Sequence, residues 1–208
     1  HVKRRRQRQM CIRDRYCCCW ESWQTTTTSM IAKILSVANL SPTYVVGGKV
    51  LSTDENSDLG KGKYIVAEAD ESDGSFVHLQ PDVAVLTNID DDHLAHFNNI
   101  FENLLDSFVL FLENVPFYGY LIINGDDKNI KKISKRISRS QVTFGESKEC
   151  DYKIIKIISK NGKQDFQIFD KNTRKVHKFK VNLPGKHNVF NATAAIAVAL
   201  EEGISISS

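Results

Sequence analysis

Two short apolar segments of this sequence each lead into a cluster of acidic side chains. The segment Tyr64–Ala67 leads into residues 68–73, four of which are acids, and the segment Val83–Thr87 leads into a polar run that ends in three aspartates and His93. Crowded carboxylates repel one another unless they share a cation. The clusters therefore predict a site for a hard cation such as Mg²⁺, with one imidazole as a further ligand. For the first cluster alone, a solvated acidic loop is the alternative.

A third polar motif, Pro184–Ala192, lies where strand character gives way to helix character. Asn188 and Asn191 are three residues apart, so they share one face of the predicted helix. A side-chain amide offers both a donor and an acceptor, which matches the edge of an adenine base. The alternative is that Asn188 caps the helix, and the spacing by itself favours that alternative.

The elements that must position these motifs alternate between strands and helices. Apolar, β-branched or aromatic runs predict strands at Thr43–Val46, Tyr64–Ala67, Val83–Thr87 and Tyr120–Ile123. Helical periodicity predicts helices at Thr25–Val37, Asn98–Glu113, Asp127–Ile137 and Asn188–Glu201. This alternation predicts an α/β fold with a mostly parallel sheet flanked by helices. In such sheets, ligands bind beyond the carboxyl ends of the strands.

Residues 151–183 have a different pattern. Three alternating segments are divided by Asn161-Gly162 and Asn172-Thr173. Because Asn-Gly is a strong hairpin signal, this region predicts a small antiparallel meander appended to the parallel sheet.

The charge and cysteine content exclude several classes of function. The net charge of +3 arises from residues 1–15, which hold seven basic residues against Asp14 and leave about −3 for the remainder. A basic tail is typical of nucleic-acid binding, but the rest of the chain does not support it. Cys17, Cys18 and Cys19 lack the paired spacing of a zinc site, and His96 is interpreted as an exposed helix-start histidine rather than a second ligand. Without an apolar run of about 20 residues or a signal peptide, a cytoplasmic location away from membranes is expected.

Four motifs in order resemble the Mur ligase family. Its members carry G-T/S-H-G-K-T-T-T-T, then E-A-D-E-S-D, then T-N-I-x-x-D-H, then P-G-x-H-N-x-x-N-A. This chain matches them at Thr25–Thr28, Glu68–Asp73, Thr87–His93 and Pro184–Ala192. The resemblance covers residues 25–204. Within it, Glu71–Phe76 and Pro116–Gly119 are most similar to the members that add L-alanine.

The resemblance implies a P-loop-type sheet and an ATP-dependent ligase of peptidoglycan precursor synthesis. ATP and Mg²⁺ are the implied cofactors, and UDP-N-acetylmuramate and L-alanine the implied substrates, joined as an amide through an acyl phosphate. The matching positions are Gln24, Thr25, Thr26, His187, Asn188 and Asn191 for the nucleotide, Thr25, Glu68 and His93 for the metal, and Glu68 and His93 for catalysis. Asn191 is the preferred contact to the base. Another Mur or folate-type amino-acid ligase and a non-catalytic nucleotide-binding module remain alternatives.

The chain departs from the family before Thr25. Gln24 stands where the family has the phosphate-binding lysine, and Trp20–Trp23 stand where it has the glycine-containing loop. If the codons of residues 17–24 are read one base further forward, they can encode V-A-V-G-S-H-G-K. That sequence is an apolar strand that leads into the missing loop. We therefore predict a frameshift at Gln24. Residues 1–15 are expected to be of technical origin and residues 16–208 to form a central ATP-binding domain, with the N-terminal UDP-binding and C-terminal domains absent.

The coding DNA tests the frameshift directly. We expect one base to be missing from an A-run at the Gln24–Thr25 junction. An in-frame Trp-Glu-Ser-Trp-Gln reading without an insertion or deletion would refute the hypothesis.

Overall fold

The computed structural model describes residues 15–19, 24–45, 57–69, 74–91 and 94–205, and for 15–19 and Gln24 it describes the backbone alone. Within these ranges the chain forms a ten-stranded sheet covered by helices on both faces. None of the described helices is long and apolar enough to cross a membrane.

The strands are β1 (Arg15–Cys19), β2 (Thr43–Val45), β3 (Ser57–Asp58), β4 (Ile65–Ala69), β5 (Val83–Leu86), β6 (Tyr120–Asn124), β7 (Ser140–Gly145), β8 (Tyr152–Lys160), β9 (Lys163–Asp170) and β10 (Lys175–Val181). The α-helices are α1 (Gln24–Val37), α2 (Phe101–Glu113), α3 (Lys128–Ser134) and α4 (Lys186–Glu201), and short 3₁₀ helices span Ser75–His78 and Leu94–Phe97.

The strand order is β10-β9-β8-β7-β6-β5-β1-β4-β2-β3. The six strands from β7 to β2 in this order run parallel to their neighbours. β1 lies between β4 and β5, with Cys18 opposite Glu68 and Cys19 opposite Leu86. The three strands therefore end at one edge of the sheet. The predicted α/β fold with a mostly parallel sheet is confirmed, and β8, β9 and β10 form the predicted antiparallel meander.

Alternation along the strands divides the core between the two faces of the sheet. Val83 and Val85 of β5 pack in the cluster that contains α1 and α4, whereas Ala84 and Leu86 pack in the cluster that contains α2 and α3. This follows from the two-residue repeat of a strand, which sends successive side chains to opposite faces. Burial on both faces explains why β5 is a continuous apolar run.

The structure differs from the predicted boundaries at several places. The helix predicted from Asn98 begins at Phe101, because Asn98 and Asn99 adopt left-handed φ values of 56° and 57° that end the preceding 3₁₀ helix. His96 lies in that 3₁₀ helix and is exposed, as expected. Strand β7 was not predicted, because its first four residues are exposed or only partly buried and lack an apolar run.

Three tyrosines bind the carboxyl-terminal end of α4. Tyr64 and Tyr120 donate to the Glu202 carboxylate at 3.1 Å and 2.8 Å, and Tyr152 donates to Glu201 at 2.7 Å. Burial, together with the neighbouring glutamates, raises the pKa of each phenol. The hydroxyls therefore remain protonated donors, and they tie α4 to residues at the beginning of β4, β6 and β8.

Replacement of Glu202 by alanine tests this attachment. We expect Glu202→Ala to lower the free energy of unfolding by about 1–3 kcal/mol, because two phenol hydroxyls lose their acceptor. Urea denaturation followed by circular dichroism measures the loss, with Glu149→Ala at an exposed position as the control. Equal stability of the two variants would contradict the assignment.

Candidate functional site

The first turn of α1 contacts the end of β4 at the carboxyl edge of the sheet. Thr25 Oγ1 donates to Glu68 Oε1 at 3.0 Å and lies 3.3 Å from Oε2. Both residues are partly buried. A hydroxyl and a carboxylate in contact are the kind of oxygen ligands that Mg²⁺ prefers. The structure thus brings together two of the predicted metal ligands, which are 43 positions apart in sequence.

Strand alternation explains why Glu68 meets α1. Glu68 lies two residues after Val66 and therefore shares its face of the sheet. Val66 is buried in the cluster that contains Ile31 and Leu35 of α1. The apolar packing of α1 on this face thus brings its amino-terminal turn to the Glu68 carboxylate.

The amino terminus of α1 adds a further electrostatic feature. The helix has 14 residues and no acidic residue in its first turn. The first backbone N–H groups of a helix lack partners within the helix, and with the positive end of the dipole they favour an anion such as phosphate. Thr25 and Thr26 are partly exposed there, whereas Thr27 and Thr28 are fully buried and their hydroxyls find no hydrogen-bond partner.

The loop after β5 lies beside this contact, because β5 and β4 both flank β1. The Thr87 hydroxyl donates to the Asn88 side chain at 3.1 Å, and the Asn88 amide donates to Asp90 at 2.8 Å. His93 and the acidic residues 70–73 lie outside the described residues. The position of His93 relative to Glu68 therefore stays a prediction.

The motif around Asn188 forms the start of α4. Gly185 precedes the helix with φ of 93°, a conformation that favours glycine, and a Cβ there would lie 2.4 Å from the His187 ring. The Asn188 amide donates to the Pro184 carbonyl at 2.7 Å and lies 3.0 Å from His187 Nε2. The helix has no side-chain cap, so the capping alternative for Asn188 is wrong.

Asn191 differs from Asn188 in having an unused donor. Asn191 is only 2% exposed, and its Nδ2 has no hydrogen-bond partner. A buried donor without a partner costs about 1–3 kcal/mol and calls for an explanation, such as a bound ligand or water. Of the two predicted amides, Asn191 is therefore the one whose Nδ2 donor remains available to a ligand.

The start of α4 lies at the same edge of the sheet as Thr25 and Glu68. Lys186 Nζ is 2.5 Å from the carboxylate of Glu146, which directly follows β7. β7 and β1 are separated by three strand steps, or about 14 Å at the usual spacing between strands. A nucleoside triphosphate in an extended conformation spans a comparable length.

A large cavity lies on another part of the α1–α4 face. Its volume is about 1130 Å³, and it runs between α1, α4 and the β9–β10 hairpin. Thr25 and Thr26 line it, but its other walls are mainly apolar and include Met30, Ile34 and Phe179. Apolar walls offer few partners for phosphate oxygens, so the polar edge of the sheet is the better candidate site.

Sequence reasoning missed one part of this edge. The turn of residues 124–129 runs from the last residue of β6 to the first two residues of α3, and the side chains of Asn124 and Asn129 contact the loop after β5. The available signal was the polar run Asn-Gly-Asp-Asp directly after an apolar strand. The two acidic clusters likewise come directly after apolar strands.

Burial lowers the pKa of His187, and this shift predicts a pH response. The neutral ring with its proton on Nδ1 can accept the Asn188 hydrogen bond at Nε2, whereas the protonated ring cannot. The unfolded chain, with an ordinary histidine pKa of about 6.5, binds the proton more readily. Stability should therefore decline as the pH falls below about 6.5.

NMR titration of the His187 ring measures this effect. We expect its pKa to be lower in the folded chain than in the urea-unfolded chain. In addition, His187→Gln should reduce the loss of stability between pH 7 and pH 5, a window that brackets the histidine pKa of about 6.5. Identical folded and unfolded titration curves would contradict the prediction.

A family model and several solved structures match this chain. Residues 24–199 match the family model of the Mur ligase middle domain. The UDP-N-acetylmuramate–alanine ligase of Thermotoga maritima is similar with a TM-score of 0.78 and 26% identity, over 98% of this chain and 44% of that chain. The UDP-N-acetylmuramate:L-alanyl-γ-D-glutamyl-meso-diaminopimelate ligase of Neisseria meningitides has a TM-score of 0.76 and 25% identity, over 92% and 62%.

A third solved structure shares the fold. MurF of Thermotoga maritima, determined in complex with ADP, has a TM-score of 0.74 and 19% identity, over 99% of this chain and 49% of that chain. This chain thus spans between 44% and 62% of the length of the three proteins.

Proposed function

This chain belongs to the Mur ligase family, whose middle domain it matches over residues 24–199, and on that basis we propose that it is the ATP-binding part of an enzyme that joins L-alanine to UDP-N-acetylmuramate. The family comprises ATP-dependent ligases of peptidoglycan precursor synthesis. In the proposed reaction, the muramoyl carboxylate is activated as an acyl phosphate and the amine of L-alanine attacks it. The products are an amide, ADP and phosphate, and the expected location is the cytoplasm.

The contact between Thr25 and Glu68 is the observation that carries this proposal. It places a hydroxyl and a carboxylate at the amino terminus of the helix that follows the central strand. Mg²⁺ and ATP, when bound, supply the transferred phosphoryl group and the neutralisation of its charge. Glu68 and Thr25 would hold the metal, and the first backbone N–H groups of α1 would face phosphate oxygens.

The start of α4 would bind the base. Asn191 has a buried donor with no partner, which suits an acceptor on the adenine edge. His187 and Asn188 would shape the site, because the Asn188 amide already bonds the Pro184 carbonyl. His93 is proposed as a ligand of a second metal ion and, with Glu68, as a catalytic residue, on the basis of the resemblance alone.

The proposal that L-alanine is the amino-acid substrate depends on two sequence segments, Glu71–Phe76 and Pro116–Gly119. Phe76, at the end of the first, is buried against Phe108 and Phe111, with ring centroids 5.2 Å and 5.5 Å away. The second, Pro116–Gly119, exposes its aromatic residues and precedes β6 at the opposite edge of the sheet from Glu68. Phe76 and Pro116–Gly119 are therefore treated as markers of a subgroup rather than as substrate contacts, whereas residues 71–73 lie outside the described residues.

Another Mur or folate-type ligase is the alternative, because ligases of different acceptor specificity match this chain about equally well. Turnover by a full-length protein that contains this chain, with a panel of amino acids and muramoyl peptides, distinguishes the two. Preference for L-alanine with UDP-N-acetylmuramate is the expected result.

The residue at position 24 predicts weak nucleotide binding by the chain as written. A glutamine cannot supply the positive charge of the family's lysine, and loss of one such donor commonly costs about 10²–10³ in rate. We expect no ligation by this chain. We also expect a gain in Mg-ATP affinity in a loop-restored chain carrying Trp20→Gly, Glu21→Ser, Ser22→His, Trp23→Gly and Gln24→Lys.

Isothermal titration with Mg-ATP measures this gain. In the loop-restored chain, Thr25→Val should weaken Mg-ATP binding about 10–100-fold, as expected for a lost bond to a charged group, whereas Thr25→Ser should retain it. A loop-restored chain that binds no Mg-ATP, or a Thr25→Val variant with undiminished affinity, would overturn the proposed function. Ligation by the unrestored chain would overturn the expectation for Gln24.

A further inference from the structure

We propose that the turn of residues 124–129 is a positioning clamp that holds the loop after β5 in place for the metal–nucleotide complex. This inference rests on the proposed function, because the loop matters only if that edge of the sheet binds a nucleotide. The residues of the clamp would not touch the ligand themselves. They would act through Thr87–Ile89.

Two asparagine amides form the direct contacts. Asn124 Nδ2 donates to the Thr87 carbonyl at 2.8 Å, and Asn129 Nδ2 donates to the Ile89 carbonyl at 2.6 Å. Asn124 is buried, and its Oδ1 accepts from the Asp126 backbone at 2.9 Å. Asn124 therefore uses both ends of its amide, a pairing that neither aspartate nor leucine can reproduce.

Asp127 holds the turn in shape. Its carboxylate accepts from the backbone N–H groups of Asn129 and Ile130, both at 2.8 Å, and so caps α3. This cap fixes the first turn of the helix that carries the Asn129 side chain.

The clamped loop carries the polar side chains at the end of β5. Ile89 is fully buried, so the loop is anchored by apolar packing as well as by the two amides. Between the anchors, Asn88 accepts from Thr87 and donates to Asp90. These side chains follow β5, which pairs with β1, the strand before α1.

The other side of the turn contacts the loop after β7. Asp126 accepts hydrogen bonds from the Ser147 backbone at 3.0 Å and from the Ser147 hydroxyl and the Glu146 backbone. A Cβ on Gly145 would lie 2.5 Å from the Asp126 carboxylate, so only glycine permits this approach. Glu146 in turn pairs with Lys186 at the start of α4. The turn thus connects the metal side of the candidate site to its adenine side.

Asparagine-to-aspartate substitutions test the clamp with little change of shape. Asn129→Asp in the loop-restored chain removes the donor to the Ile89 carbonyl, and Asn172→Asp, at an exposed position in the β9–β10 turn, is the matched control. We expect Asn129→Asp to weaken Mg-ATP binding about 10–100-fold, the usual cost of losing a residue that positions the surroundings of a metal site. ATP binding in EDTA and the affinity of the control should change little.

The ratio of Mg-ATP affinity to metal-free ATP affinity distinguishes a loss of positioning at the metal from a general loss of nucleotide binding. An unchanged ratio in Asn129→Asp, or an equal change in the control, would overturn the proposal. If Asn129→Asp does not fold, Asn129→Ala takes its place in the same comparison.

A second measurement does not depend on nucleotide binding. Amide hydrogen exchange of Asn88 and Ile89 in the unrestored chain should become at least about tenfold faster in Asn129→Asp and remain unchanged in Asn172→Asp, in line with local opening of a released loop. Unchanged exchange would overturn the clamp. A loop-restored chain that fails to bind Mg-ATP while exchange responds as expected would instead refute the proposed function.

Discussion

The hydrogen bond between Thr25 and Glu68 depends on the order of three parallel strands. Because β1 lies between β4 and β5, the helix that follows β1 starts beside the ends of both neighbours. Alternation along β4 then directs Glu68 to the face that α1 covers. A partly buried carboxylate needs hydrogen-bond partners, and one of them here is a hydroxyl at a helix terminus, where the positive end of the dipole adds a favourable field.

The tyrosine–glutamate contacts and the candidate site are located at different parts of this sheet. Toward the amino ends of β4 and β6, Tyr64 and Tyr120 share the Glu202 carboxylate and fasten the end of α4. At the carboxyl edge, the amides of Asn124 and Asn188 bond to loop backbone, and the amide donor of Asn191 has no partner. Among the described residues, the unpartnered donor of Asn191 thus lies at the edge where ligands bind in open α/β sheets.

Sequence periodicity predicted the fold class, because α/β packing imposes apolar runs on buried strands and a broad apolar face on helices. It failed where that signal is weak. β7 carries few buried residues, and two successive asparagines at positive φ shift the start of α2 to Phe101. The Asn188 motif was located correctly, but its partner is the Pro184 carbonyl and not a helix-capping amide.

The sequence by itself determined the alternation of strands and helices, the meander of β8 to β10, and the order of the polar motifs, since these depend on local composition and short spacings. Only the tertiary structure decided which side chains meet. Thr25 and Glu68 come from distant parts of the chain, and so do Asn129 and Ile89. Such pairings depend on strand order and on the face that each helix covers, and both arise from packing over the whole sheet, which local sequence does not encode.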